Sequence, residues 1–345
     1  MPGLFDPLVI RSVQVRNRVM MSPMIQVSAN ADGTATDWHL VHYGARAVGG
    51  VGLVMLEATA VESRGRITER DLGLYDDRHV EGLARIVAFC HEHGARVGVQ
   101  LAHAGRKAWS RSGGVGPEQA VGPSALPFEP HWPTPRALSA AEIQDIVRSF
   151  AEAARRAKAA GFDVVELHGA HGYLINQFIS PLSNRREDEY GGSLVGAMRF
   201  PCEVVQAVRE VWGDRPLFMR VSALDYAEGG IDLAQMVTVA KVLKAAGVDL
   251  IDVSSGGATP AQPQAWRGYQ VPFAETIRRE AGLPTAAVGL ISKPELAEEI
   301  IRNGRADLVA LGRELLRQPY WPLHAARELG VDVDWPVQYE RAKRF

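Results

Sequence analysis

Residues 163–178 read DVVELHGAHGYLINQF: an apolar run drives into two histidines three apart, His168 and His171, with Gly169 and Gly172 beside them and Tyr173 next. Along a continuing strand, residues three apart face opposite sides. Two glycines permit a sharp turn, so both imidazoles can reach one place. Three chemistries fit such a pair. Zinc would need a further ligand, and the spacing H-E-x-x-H is absent because 168–172 is HGAHG, so no metal is expected. A structural pair would simply be satisfied by its neighbours. Two N–H donors on one carbonyl oxygen would polarise an adjacent C=C and stabilise a developing enolate, as an oxyanion hole does. Tyr173 then carries a phenol able to deliver a proton.

Other polar residues sit at the ends of apolar runs. Gln100 ends ARVGVQ, and Arg220 lies in PLFMRVS. A glutamine both donates to a carbonyl and accepts from an N–H, which suits the pyrimidine edge of a flavin. A cation beside flavin N1 stabilises the anionic reduced form. Late in the chain, SSGG (254–257), GL (289–290) and GR (312–313) offer glycine backbone and the guanidinium of Arg313. Backbone amides at late strand ends commonly hold a phosphate in barrels, and arginine binds it bidentately. A phosphate site together with Gln100 and Arg220 favours flavin mononucleotide as the ligand.

A repeated unit must position these groups. AVGGVGLVMLEAT (47–59), AAGFDVVELHGAH (159–171), AAGVDLIDVSSGG (245–257) and NGRADLVALGREL (303–315) each run from a helix end through a small residue into a β-branched stretch. Continuous apolar runs mark strands buried on both faces, hence a parallel sheet under helices. RVMMSPM (18–24), ARVGVQLA (95–102), PLFMRVS (216–222) and PTAAVGL (284–290) supply four more. Ser139 and Glu142 open the helix 139–161 at capping-box spacing. Eight strand–helix units predict a single α/β domain over 1–345, a (β/α)8 TIM barrel. An open doubly wound sheet is the alternative, but no G-x-G-x-x-G follows the first strand. Residues 1–18 are expected to form a hairpin at the barrel bottom, and the Gly- and Pro-rich 103–138 a lid insertion after the third strand.

Composition narrows the function classes. The 345 residues are 46% hydrophobic and 23% charged with a net charge of -2, which gives no electrostatic reason to expect nucleic acid or an anionic membrane. Two cysteines, Cys90 and Cys202, are too few for a disulfide framework or an iron–sulfur cluster. MPGLFDPLVIRSVQ has neither a basic start nor a long apolar segment, so a cytoplasmic protein is expected.

At this point the chain resembles the old yellow enzyme family of FMN-dependent ene-reductases, in particular its xenobiotic-reductase-like bacterial branch. The resemblance rests on SPM (22–24), QLAHAGRK (100–107), HGAHGYLINQFISPLSNRREDEYGGS (168–193), MRVS (219–222), GYQVPFAE (268–275) and GREL (312–315), and spans nearly the whole chain. It implies that Ser22, Pro23, Met24, Ile25 and Ala58 line the flavin ring, with Gln100 and Arg220 on its pyrimidine side. Gly289, Gly312 and Arg313 would hold the phosphate, His168 and His171 the substrate carbonyl, and Tyr173 would be the proton donor. The implied reaction takes electrons from NADPH or NADH into FMN, then hydride from flavin N5 to the β-carbon of an α,β-unsaturated carbonyl compound. Activated alkenes are thus the expected small-molecule partners. QYER (338–341) resembles a segment, here 331–345, that extends an arginine, Arg341, into a neighbouring subunit of a homodimer or homotetramer. Two positions depart from the branch, which typically has cysteine where Ile25 stands and tyrosine where Val27 stands. Neither thiol tuning of the flavin nor a third contact to the substrate oxygen at Val27 is expected, so potential and substrate range should differ. Trp266 is the expected wall of the substrate pocket.

Overall fold

The computed structural model describes residues 1–261 and 263–343. The hairpin strands β1 (Leu8–Ile10) and β2 (Val13–Val15) pair antiparallel. Eight parallel strands then close a barrel: β3 (Val19–Met21), β4 (Leu53–Ala60), β5 (Arg96–Ala102), β8 (Val164–Gly169), β9 (Leu217–Ser222), β10 (Leu250–Ser254), β11 (Thr285–Ala287) and β12 (Leu308–Leu311). Two short strands, β6 (Val121–Gly122) and β7 (Arg136–Ala137), pair within residues 103–138. Around the barrel run α1 (Asp37–Val48), α2 (Arg78–Glu92), α3 (Ala140–Ala159), α5 (Leu194–Trp212), α6 (Leu233–Ala246), α7 (Val271–Ala281), α8 (Pro294–Arg302) and α10 (Trp321–Glu328), with the short α4 (Leu174–Ile179) and α9 (Arg313–Arg317) at strand exits. The barrel predicted from the repeated strand–helix unit is therefore the observed fold.

Local chemistry explains the elements. α3 starts at a full capping box, in which Ser139 accepts from the Glu142 amide and Glu142 accepts from the Ser139 amide, worth about 1 kcal/mol. Every residue of β4 is buried, as a strand covered on both faces requires. Alternate residues point inward. Met20, Leu53, Met55, Val164, Phe218, Leu250, Ala286, Leu308 and Ala310 fill the axis, and Val15 with Leu8 and Ile10 of the hairpin packs beneath them. The intervening residues, such as Val165, Met219 and Ile251, join the larger core under the helices.

The same alternation raises polar side chains above the apolar plug. Two residues beyond Val164, Phe218 and Leu250 come Glu166, Arg220 and Asp252, and two beyond Glu166 comes His168. Register then aligns them: Ala58 with Gln100, Gln100 with Glu166, His168 with Arg220, and Arg220 with Asp252. A bulge between Leu56 and Ala58 drops Glu57 out of the ladder. Bulges beside active sites re-aim side chains in this way. Among the described residues, no helix is long and apolar enough to cross a membrane.

Candidate active site

At the C-terminal ends of the strands lies a cleft of about 460 Å³. Ser22, Pro23 and Met24 leave β3 on one side, Arg220 and His171 form the floor, and Gly289, Gly312 and Arg313 close the far end. Eight of the predicted site residues thus line one cavity. A Cβ on Gly312 would meet the Met24 sulfur at 3.6 Å, an ordinary contact. Gly289 has φ +133°, and a Cβ would approach the Gln270 amide to 3.1 Å, so only glycine turns the chain there without strain. Ser254, Arg267, Tyr269, Gln270 and Arg317 also line the cleft.

At the ends of β4 and β5 lies a small buried apolar cluster. Ala58, Ile67, Ala102, Ala104, Ala108, Trp109 and Ala120 cluster there, with Ile25 and Tyr173 packed against them. Small residues surround a single large indole, which stacks over Gly116 and carries the Arg66 guanidinium 5.2 Å from its ring. Within residues 103–138, Phe128 covers the Lys107 ammonium at 4.3 Å, and Trp132 packs on Phe128 at 5.4 Å.

The two histidines meet at the exit of β8. Their ring centroids lie 5.3 Å apart at 86°, and the Tyr173 ring stands 4.8 Å from His168. The turn that brings them together is made by His171 itself, at φ 58°, followed by Gly172 at 73°. Ser222 accepts from the His171 amide at 2.9 Å, and Lys107 donates to the His171 carbonyl at 2.8 Å and to the Gly257 carbonyl at 3.1 Å. Lys107 therefore pins the histidine turn to the loop after β10. A backbone N–H, that of Ala170, donates to Nδ1 of His168 at 3.4 Å, which leaves that ring's proton on Nε2. Nε2 of His171 lies 2.7 Å from the Ser254 hydroxyl.

Electrostatics keep both rings neutral. Burial first, then His171, Arg220 and Lys107, hold His168 well below the usual imidazole value; burial, Arg220 and Lys107 do the same to His171. Burial raises the Tyr173 phenol, so it stays protonated. Burial also lowers the Lys107 ammonium to about 8, with Arg106 adding to the effect.

The remaining predicted positions are dispersed. Gln100 lies under the cleft, its Nε2 donating to Glu166 at 2.7 Å. Val27 takes φ 53°, a conformation costly for a β-branched side chain. Trp266 is 61% exposed, and its neighbours Arg267 and Tyr269 face the cleft instead. Arg341 is exposed on a turn over Val337–Ala342, and the last two residues of the 331–345 segment lie outside the described residues. Sequence reasoning gave no role to Glu166 and Asp252, and met Ser254 only within SSGG. Period-two spacing from His168 would have flagged Glu166, whereas Asp252 meets Arg220 only through strand register.

A family model described as the NADH:flavin oxidoreductase / NADH oxidase family matches residues 3–331. The chain belongs to this family. An NADPH dehydrogenase of Geobacillus thermodenitrificans is 55% identical over 343 residues, covering 99% of each chain. Another, from Bacillus licheniformis, is 52% identical over 340 residues and 98% of each chain. Among solved structures, morphinone reductase superposes with a TM-score of 0.83 at 32% identity, over 97% of this chain and 91% of its own. An old yellow enzyme homologue from Zymomonas mobilis gives 0.81 at 27% identity, over 98% and 96%. This NADH:flavin oxidoreductase is thus a member of the old yellow enzyme group, an oxidoreductase with FMN as cofactor and a nicotinamide as reductant.

The residues fit FMN. The cleft runs from the Arg220 guanidinium, with the Gln100 amide buried beneath, to two glycines and an arginine, matching a ring edge at one end and a phosphate at the other. Arg220 lines the cleft while its Nε faces Asp252 Oδ2 at 3.3 Å, which leaves the rest of the guanidinium for a ligand.

Proposed function

We propose that this oxidoreductase reduces the C=C bond of α,β-unsaturated carbonyl compounds, with NADPH or NADH as the electron source. The observation that carries the reading is the convergence of two neutral imidazoles, 5.3 Å apart, on the strand-end cleft with a protonated phenol beside them. FMN, when bound, supplies the hydride chemistry. Ser22, Pro23, Met24, Ile25 and Ala58 would hold its ring, Gln100 and Arg220 its pyrimidine edge, and Gly289, Gly312 and Arg313 its phosphate.

His168 and His171 then meet the substrate oxygen. His168 presents Nε2–H because the Ala170 amide occupies Nδ1. For His171 to present a second donor, Ser254 must donate to Nε2 so that the proton rests on Nδ1. Distances favour this: the Ser254 hydroxyl is 2.7 Å from His171 Nε2 but 3.3 Å from Gln270 Oε1, which already accepts from Ser255 at 2.6 Å. Donors fixed before charge develops need no reorganisation when it does. Tyr173 protonates the α-carbon. Its ring packs against the buried cluster of alanines and Trp109, an apolar surface that would face the alkene's hydrocarbon portion. Ile25 packs against the same cluster, so hydrophobic contact stands where a thiol would, and Val27 brings no phenol to the substrate oxygen.

Val337 and Tyr339 beside Arg341 are exposed apolar side chains on the C-terminal turn, a surface open to a partner. We assign it to the contact of a homodimer or a dimer of dimers, in which Arg341 reaches the neighbouring active site. Sedimentation of wild type and R341A tests that assignment.

The test of function is anaerobic. NADPH or NADH should bleach the flavin bands, and a cyclic enone should restore them with formation of the saturated ketone. Bleaching with no reoxidation by any enone would overturn the reading.

A further inference from the structure

One layer of polar side chains separates the cleft from the apolar plug: Gln100, Glu166, Arg220 and Asp252, none more than 6% exposed. Below it stand Val164, Phe218 and Leu250, so charge in this layer is balanced only within it or from the cleft. Gln100 donates to Oε1 of Glu166 at 2.7 Å, and Nε of Arg220 lies 3.3 Å from Oδ2 of Asp252. Oε2 of Glu166 and both carboxyl oxygens of Asp252 find no donor among the described residues.

Two ionised carboxylates and one guanidinium would leave a net negative charge in a floor without water-like solvation. A buried, uncompensated carboxylate takes up a proton instead. Asp252 has a cation at 3.3 Å; Glu166 has only a neutral amide. The charged or titratable groups facing Glu166 are Arg220 and Asp252, with His168 one row above on the same strand and itself neutral. We propose that Glu166 is a standing neutral acid beneath the pyrimidine edge of FMN, leaving Asp252 as the counter-charge of Arg220 and so setting the charge that edge meets. The proposal rests on the placement of FMN against Gln100 and Arg220 given above.

Burial first, then the charge of Asp252, pushes the Glu166 carboxyl upward against the opposing influence of Arg220 and Gln100. Asp252 is also raised by burial, but Arg220 opposes that rise. Of the two, the group beside the guanidinium ionises. Glu166 is thereby a positioning residue. By engaging one N–H of Gln100 it orients the amide so that Oε1 and the second N–H are left for a ligand. A neutral Arg220–Asp252 pair also suits an oxidised ring, while the guanidinium remains to meet negative charge after reduction.

Redox-triggered infrared difference spectra of the FMN-loaded enzyme, in H2O and D2O, together with the flavin midpoint potential, test this. The wild type should show a protonated-carboxyl carbonyl band that shifts in D2O. E166Q, which copies the shape and charge of a neutral acid, should delete the band and leave the potential where it was. D252N should keep the band and move the potential positive, because Arg220 loses its counter-charge. Absence of the band in wild type, its survival in E166Q, or an equal shift of potential in both variants would overturn the proposal. Bands as expected with neither potential moved would uphold the proton on Glu166 and overturn the placement of FMN.

Discussion

Removing the Ser254 hydroxyl separates the tautomer of His171 from its presence. In Ser254→Ala the imidazole keeps its place, since Ser222 and Lys107 still hold its backbone at 2.9 and 2.8 Å. The 2.7 Å contact to Nε2 is lost, with a longer 3.3 Å contact to Gln270 Oε1. A neutral hydrogen bond contributes about 0.5–1.5 kcal/mol net, and a tenfold change in rate corresponds to about 1.4 kcal/mol. Loss of the tautomer bias should therefore slow enone reduction roughly 3- to 10-fold. Deleting the donor altogether in His171→Ala should cost about 10²–10³. Because the hydroxyl acts only through the ring, the double variant should be no slower than His171→Ala. The assay is stopped-flow reoxidation of the reduced flavin by a cyclic enone. An unchanged rate in Ser254→Ala, or losses that add in the double variant, would refute the tautomer argument.

Three further outcomes follow from the same geometry. Tyr173→Phe keeps the ring that packs 4.8 Å from His168 but removes the proton donor, so flavin reduction should persist while enone reoxidation falls about 10²-fold or more; equal rates would contradict this. Lys107→Met leaves the carbonyls of His171 and Gly257 without their shared donor and should lower unfolding stability by about 2 kcal/mol, measured by urea titration, with unchanged stability as the opposing result. Burial raises Glu57 from 4.5 to about 8; the folded state therefore binds the extra proton, and its stability contribution, full below pH 4.5, is lost as pH rises through 8. Glu57→Gln should flatten that decline, whereas an identical pH dependence would discount the buried acid.

The barrel was legible because its strands are buried on both faces, so β-branched runs such as DLIDVSS stand out against amphipathic helices. Ends were less so. The run 284–290 reads as one strand, yet pairing ends at Ala287, and Gly289 and Leu290 turn away with positive φ to shape the cleft. His168, His171 and Tyr173 were visible because one short segment holds all three. The partners of Ser254 and Asp252 were not, since only strand register or a loop crossing brings them near, and QLAHAGRK showed Lys107 but not the carbonyls it binds. The bulge at Glu57 likewise has no sequence signal: it points a carboxylate at the Gln26 amide, 2.7 Å away, and steadies the loop that ends in the left-handed Val27. Trp266 shows the converse, an aromatic in a matching motif that the turn before α7 leaves exposed.

The most direct test is a His168→Ala/His171→Ala enzyme loaded with FMN and reduced chemically, without nicotinamide. On mixing with a cyclic enone, it should reoxidise at least 10²-fold more slowly than wild type, with the flavin still bound. Reoxidation at the wild-type rate would contradict the account, because negative charge on the substrate oxygen would then need neither imidazole.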